Sequence, residues 1–403
     1  MRHSIGAFVS EQEDSANNAG CRRRLAPIGP ARCLLGAVML DPELLRYIGA
    51  LQRQRMEPEY AGVFDTAGLV EWIGSNLPVL KRLNARHPAL DRRAFEEHVK
   101  EALQYEPRFA HDTYYSTAAF ESVLQKVEAA CATIRVSPRN PIILASSTSI
   151  GLSPLARPST AEHVLFAGLG TMALCNYWAK AYSMLLYEYS RRSLPNTLDQ
   201  VDLSSLVQGF PDPIILMSRL LLYYAYFGTV LGFGEVSVRT EHEGLRLELL
   251  EAMEIFAIGH EVGHFVAEER RPNQGSSPDA EEAHATEFFC DQYGQAVSRW
   301  HGASESNWTC FTTTGAILYL HAGSLSLRAR GKVEGGSEAD TDSQSHPRTK
   351  DRIDRAFTNA VACVPDDQVD KVRGYLNEII AVVQFVESEV FPIVVATIDE
   401  AGQ

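Results

Sequence analysis

Residues 249–264 read Leu-Leu-Glu-Ala-Met-Glu-Ile-Phe-Ala-Ile-Gly-His-Glu-Val-Gly-His. Leu249, Met253, Phe256, His260 and His264 recur at three- and four-residue steps, the period of one helix face. His260 and His264 stand at i and i+4, so on a helix both imidazoles point the same way and can meet one metal ion. Glu261 lies one step round, within reach of a water on that metal. The helix is expected to open at a capping box of Thr240 and Glu243, after a short strand at Val236-Ser237-Val238.

A catalytic zinc takes three protein ligands and keeps one position for water. The third ligand is expected from a second helix. Ser277-Pro278-Asp279 reads as its start, with Ser as N-cap, Pro at N1 and acids in the first turn, and the helix runs to about Trp300. On it His284, Glu287 and Asp291 share a face. Glu287 is the expected ligand, with Glu282 and His284 as alternatives. Asp291, one turn on, is placed to accept the second ring N–H of a ligand histidine and fix its tautomer.

The order of these segments resembles the gluzincin zinc metallopeptidases, in which HExxH is followed by a second helix bearing ExxxD. Glu287-Phe288-Phe289-Cys290-Asp291-Gln292-Tyr293-Gly294 is similar to the corresponding segment of the HtpX-like and CAAX-prenyl-protease-like peptidases and of ImmA/IrrE-like proteins. Ser345-His346-Pro347 with Arg352-Ile353 resembles a third segment of the HtpX-like group. A Lit-type peptidase is similar over the HExxH helix alone. The resemblance covers roughly residues 255–357; Cys290 replaces the family's small Ala, and the N-terminal half matches nothing in it. It implies a mainly α, gluzincin-like core with a short edge strand or small sheet. It also implies one Zn2+ per chain on His260, His264 and Glu287, with Glu261 as general base. His346 is its leading oxyanion donor, with Tyr293 and His284 behind it. The implied reaction is hydrolysis of a protein or peptide substrate, endopeptidase in type. The alternative is a non-proteolytic zinc-binding regulator or sensor.

Composition sets limits. Of 403 residues, 37 are Lys or Arg and 51 Asp or Glu, a net charge of −14, which disfavours nucleic acid as a partner. Seven cysteines without CxxC spacing read as reduced thiols of a reducing compartment. No signal peptide is read: Leu34–Leu40 is a short core segment ended by Asp41-Pro42. The run Ile214–Phe233 approaches the length of a bilayer span, but Arg219 lies inside it, and a buried core helix is the preferred reading. The chain is therefore placed in the cytoplasm, with membrane association resting on that one run.

Three regions are expected. Residues 1–30 form a disordered tail. Residues 31–235 are mostly helical: Asp41-Pro42-Glu43 starts one helix, Leu69-Val70-Trp72-Ile73 and Phe95-Val99-Ala102-Leu103 continue helical spacing, and Ala161–Ser190 is helical again, broken near Gly168 and Gly170. Within it 136–160 is a linker or elaborate loop with a short strand at Ile142-Ile143-Leu144. Residues 236–403 form the peptidase domain, with a helix at about 311–328 and a mobile loop at 329–345. A helix then opens at His346-Pro347, and a last one spans about Asp367–Ile398, bent at Pro392. His163, His242, His301 and His321 show no ligand spacing.

Overall fold

The computed structural model describes residues 41–56, 71, 74–75, 77–78, 99–109, 111–149, 151, 154–159, 161–192, 211–234, 236–271, 279–336 and 346–402. The tail at 1–30, the Leu34–Leu40 segment, Leu69, Val70, Trp72, Ile73, Phe95, Ser277-Pro278 and loop residues 337–345 lie outside these. The described chain is mainly helical with one small sheet, and falls into two compact units: Val123–Arg139 with Ala173–Gln403, and Arg22–Ser122 with Asn140–Met172. The unit that carries HExxH is thus larger than residues 236–403.

In the second unit, α1 (Pro42–Arg55) starts as its sequence predicts: Asp41 Oδ1 accepts from the Glu43 N–H at 2.8 Å and Pro42 stands at N1. Residues 136–160 are not simply a linker. They supply β1 (Ile142–Ser146) and β2 (Leu155–Arg157), and β3 (His163–Ala167) follows where a helix is expected. The sheet order is β1-β3-β2, with β1 parallel and β2 antiparallel to β3. β3 is central and every residue of it is buried. A short apolar run of that kind has the same period-free pattern in strand and helix, and pairing on both sides decides it here. Ile48, Phe109, Ile143, Ala145, Val164 and Phe166 form the core against the sheet. Asp112 ties it together by accepting from the N–H groups of Ser146 (2.9 Å) and Phe109 (3.2 Å) and from Gln52 Nε2 (3.2 Å). Burial pushes its carboxyl up to about 6 despite these donors.

The first unit is built on α5 (Thr240–Glu269) and α6 (Ala280–Glu305), joined by α7 (Trp308–Phe311), α8 (Thr314–Val333) and α9 (Thr349–Ala362). Earlier in the sequence, this unit also takes the greater part of α2 (Tyr114–Ile134) and of α3 (Leu169–Arg192), and the whole of α4 (Asp212–Phe227). Thr240 is the first residue of α5 rather than its cap; Arg239 is the N-cap and no side chain caps the helix. Val236–Val238 is irregular, and Lys180 Nζ takes the Val236 carbonyl at 2.7 Å, where a strand would need a backbone partner. α6 is capped by Asp279, whose Oδ1 accepts from the Glu282 N–H at 2.9 Å.

The expected loop at 329–345 begins later. Residues 329–333 complete α8, where Arg330 Nη1 donates to the carbonyls of Ala225 (3.1 Å) and Tyr226 (3.0 Å). His346 and Pro347 do not open a helix. α9 starts at Thr349, because a residue before proline is pushed to extended backbone.

At the C-terminus, a 3₁₀ turn (Asp366–Gln368) leads into α10 (Val369–Phe385), then a π turn (Val386–Val390) and α11 (Phe391–Ala401). The expected bend at Pro392 is expressed as that wide turn: proline offers no N–H to the preceding turn, and its ring needs the extra room.

α4 spans 16 residues and ends at Gly228, short of Phe233, with Ile214, Leu216, Met217, Leu220, Leu221, Tyr224 and Ala225 buried. It is a core helix. Among the described residues one helix, Asp366–Ala401, is long and apolar enough to cross a membrane by length and composition, and 44% of its apolar window is buried. Its outward residues include Glu389, Asp399 and Glu400.

The closest backbone contact in this unit is at Gly315 on α8. A Cβ there would stand 2.1 Å from the Ala252 carbonyl oxygen of α5. Gly315→Ala therefore forces α8 off α5. It is expected to lower stability by about 3 kcal/mol, against the ~1 kcal/mol that alanine gains in helix propensity. Chemical denaturation checks this, and an unchanged or raised midpoint contradicts it.

Candidate metal centre

α5 and α6 cross antiparallel with almost nothing between their backbones. A Cβ on Gly259 would lie 3.1 Å from Gly294 Cα, one on Gly263 3.0 Å from Cys290 Cα, and one on Gly294 3.0 Å from the His260 nitrogen. Those distances are tighter than ordinary van der Waals contact, so only residues without side-chain bulk fit this seam. The closeness brings a glutamate of α6 onto two histidines of α5.

Glu287 Oε2 lies 3.5 Å from His260 Nε2, and Glu287 Oε1 lies 3.5 Å from His264 Nε2. A tetrahedral metal with ligands at about 2.0–2.1 Å has ligand–ligand edges of about 3.4 Å. Glu287 Oε2 is buried and makes no hydrogen bond among the described residues. A buried carboxylate whose two oxygens each face an imidazole nitrogen, one of them without a hydrogen bond, fits a cation between them. Glu261 is buried beside the pair, and one ligand atom from each of His260, Glu261 and His264 falls within 4.8 Å of the others. These donors, two imidazoles and a carboxylate, suit zinc.

Behind the histidines runs a chain of charge. Asp291 Oδ1 stands 3.0 Å from His260 Nδ1, the position read for it from sequence. With the ring proton on Nδ1 donated to Asp291, the Nε2 lone pair faces Glu287. Arg352 grips Asp291 in a fork, Nε to Oδ2 at 2.8 Å and Nη2 to Oδ1 at 2.7 Å, and its Nη2 also lies 3.5 Å from Glu287 Oε2. Burial would raise Asp291, but the Arg352 hydrogen bonds and charge hold it down at about 2. Burial would lower His260, but the Asp291 hydrogen bond and charge, with Glu287, raise it. His264 has no such partner. Burial and the nearby His260, His346 and Arg352 push it down to about 3, so it stays neutral and able to ligate.

His346 Nε2 stands 3.7 Å from Glu287 Oε1 at the open edge of the site, its side chain 58% exposed, and burial lowers its pKa. Of the two other donors named from sequence, Tyr293 is turned away. Its hydroxyl donates to the Val136 carbonyl at 2.6 Å and contacts Cys131 Sγ at 2.9 Å. His284 lies one turn before Glu287, and Glu282 is drawn off by Arg271 at 2.7 Å. Cys290 is buried on Gly263, filling the place of a small residue, and burial pushes its thiol up.

Two parts of the site escaped the sequence reading. Arg352 was visible only as part of a resembling segment, without a role. The glycine spacing Gly259-x3-Gly263 facing Gly294 was present in the sequence, and four-residue glycine spacing on a helix is the signal of a close crossing.

No protein-family model matches the chain, and neither a curated protein nor a solved structure does.

Two outcomes follow for metal binding. Asp291→Asn keeps the shape but removes the charge that holds the proton on His260 Nδ1 and breaks the Arg352 fork, and is expected to weaken zinc binding about 10–100-fold. Because His260 is raised above its ordinary value of 6.5, protons compete for it early. Zinc affinity is expected to fall as pH drops, with the fall beginning above 6.5. Competition titration with a chromophoric chelator reads both, and an affinity flat down to that pH contradicts the second.

Proposed function

We propose that the chain is a zinc-dependent peptidase of gluzincin type, acting on protein or peptide bonds. The observation that carries the reading is Glu287 bridging His260 and His264 in a buried site, with one of its oxygens making no hydrogen bond among the described residues. With Asp291 behind His260, this is the donor set and support expected of a catalytic, open zinc site rather than a closed structural one. A zinc ion held there supplies Lewis acidity, making water acidic near pH 7 and polarising a carbonyl.

The protein's own groups do the rest. Glu261, adjacent to the ligands and buried, accepts the proton of the attacking water and passes it to the leaving amine. His346, at the exposed edge, donates an N–H to the oxygen that gains negative charge. Arg352 and Asp291 keep His260 aligned through both steps. The free thiols Cys131, Cys175, Cys290, Cys310 and Cys363 support a reducing, cytoplasmic setting.

Glu261→Gln is expected to retain zinc while losing about 10²–10⁴-fold in hydrolysis, the contribution of a positioned general base. Glu287→Ala is expected to lose zinc. Digestion of a denatured-protein peptide library, followed by mass spectrometry with parallel metal analysis, reads both. A Glu261→Gln protein with undiminished cleavage, or a zinc-loaded wild type that cleaves nothing in the library, overturns the proposal.

A further inference from the structure

The same helix pair carries a second cluster at its other end. Glu251 on α5 precedes His260 by nine residues, about 13 Å along the helix. Facing it are His301 of α6 and Cys310 of α7. One ligand atom from each of the three lies within 4.8 Å of the others. His301 and Cys310 are 5% and 0% exposed. Two features argue that this is more than packing. His301 Nε2 is buried and stands 3.2 Å from Glu251 Oε1, yet makes no hydrogen bond of proper geometry. Its imidazole is thus aimed into the cluster, at Glu251, another member of it. The backbone around Cys310 is also pinned: Asn307 Oδ1 accepts from the Cys310 N–H at 3.0 Å, and Ser298 Oγ donates to its carbonyl at 3.0 Å. Those bonds hold the Cys310 backbone at the cluster, and Ser298, which also acts on the thiol, would yield the sulfur to a metal on ligation.

We propose that Glu251, His301 and Cys310 form a second metal site, distinct from the His260–His264–Glu287 centre, for a thiophilic divalent cation of the zinc class. A thiolate, an imidazole and a carboxylate select zinc or cobalt over magnesium or calcium, which prefer all-oxygen ligands. The Glu251–His301 edge is already 3.2 Å, and the edges to Cys310, within 4.8 Å, would close towards the roughly 3.5 Å of a tetrahedral site on binding. Cys310 gives up its thiol proton to solvent on binding, a cost set by the burial that pushes its pKa well up.

Lys126 is the competitor. Its Nζ lies 2.6 Å from Glu251 Oε1 and supplies the positive charge that the cluster needs when metal-free. The Lys126 side chain is 40% exposed, so it swings to water when a cation takes its place, while Asn307 Nδ2 keeps Glu251 Oε2 at 2.8 Å. The site rests on no assumption about peptidase activity.

Metal analysis and cobalt absorption of the full chain test it. The wild type is expected to bind two cobalt ions and to show a thiolate-to-cobalt charge-transfer band. Cys310→Ser and His301→Gln should each lose the band and one equivalent. His264→Ala should lose the other equivalent and keep the band, since no thiolate belongs to that centre. Lys126→Met should tighten the band-giving site without touching the other, and also serves where a core variant fails to fold. A wild type that shows no thiolate band, or a Lys126→Met affinity that is unchanged or weaker, overturns the proposal.

Discussion

The contact on which the site depends is the close crossing of α5 and α6. Glutamate has a short reach. For one carboxylate to stand 3.5 Å from two imidazoles on a neighbouring helix, the two backbones must approach further than ordinary side chains permit. Gly259 and Gly263 on one side, and Gly294 and Cys290 on the other, allow that approach. Each glycine costs conformational entropy in the helix, roughly 0.5–1 kcal/mol relative to alanine. The surrounding layer offsets this: Phe256, Phe265, Val262 and Ile258 of α5 are fully or almost fully buried, and Gly315 lets α8 lie against the same helix. The bulk beside the seam thus lets the seam be bare.

Electrostatics then sorts two chemically identical histidines into different states. His260 is backed by Asp291, and Asp291 by Arg352, in a buried fork that would cost about 3–5 kcal/mol to break. His264 has neighbours of positive character and stays neutral. The asymmetry matches the two roles of a metal-binding pair, one ring held fixed by hydrogen bonding and one kept unprotonated by its surroundings. Arg352 reaches in from α9, so the segment after His346 contributes to the site through both its exposed imidazole and its buried guanidinium.

Much of this was legible in the chain. The i and i+4 spacing of His260 and His264, and the shared face of Glu287 and Asp291, follow from helical geometry alone, and the structure brings all four together. The rest depended on tertiary partners that no local pattern encodes. β3 has the composition of a buried helix segment, and only pairing with β1 and β2 makes it a strand. Tyr293 sits two residues after Asp291 but on another face, and its hydroxyl belongs to Val136 and Cys131. His301 looked ordinary because its companions Glu251 and Cys310 stand 50 residues before and nine after it, beyond any ligand-spacing rule.

The central claim is that the bare seam between α5 and α6 builds a three-ligand zinc site. A crystal structure of the zinc-loaded protein, with anomalous scattering recorded at the zinc edge, tests it most directly. The account predicts a peak about 2.0–2.2 Å from His260 Nε2, His264 Nε2 and a Glu287 oxygen, with Asp291 still on His260 Nδ1. A zinc-loaded crystal with no peak between those three side chains would contradict it.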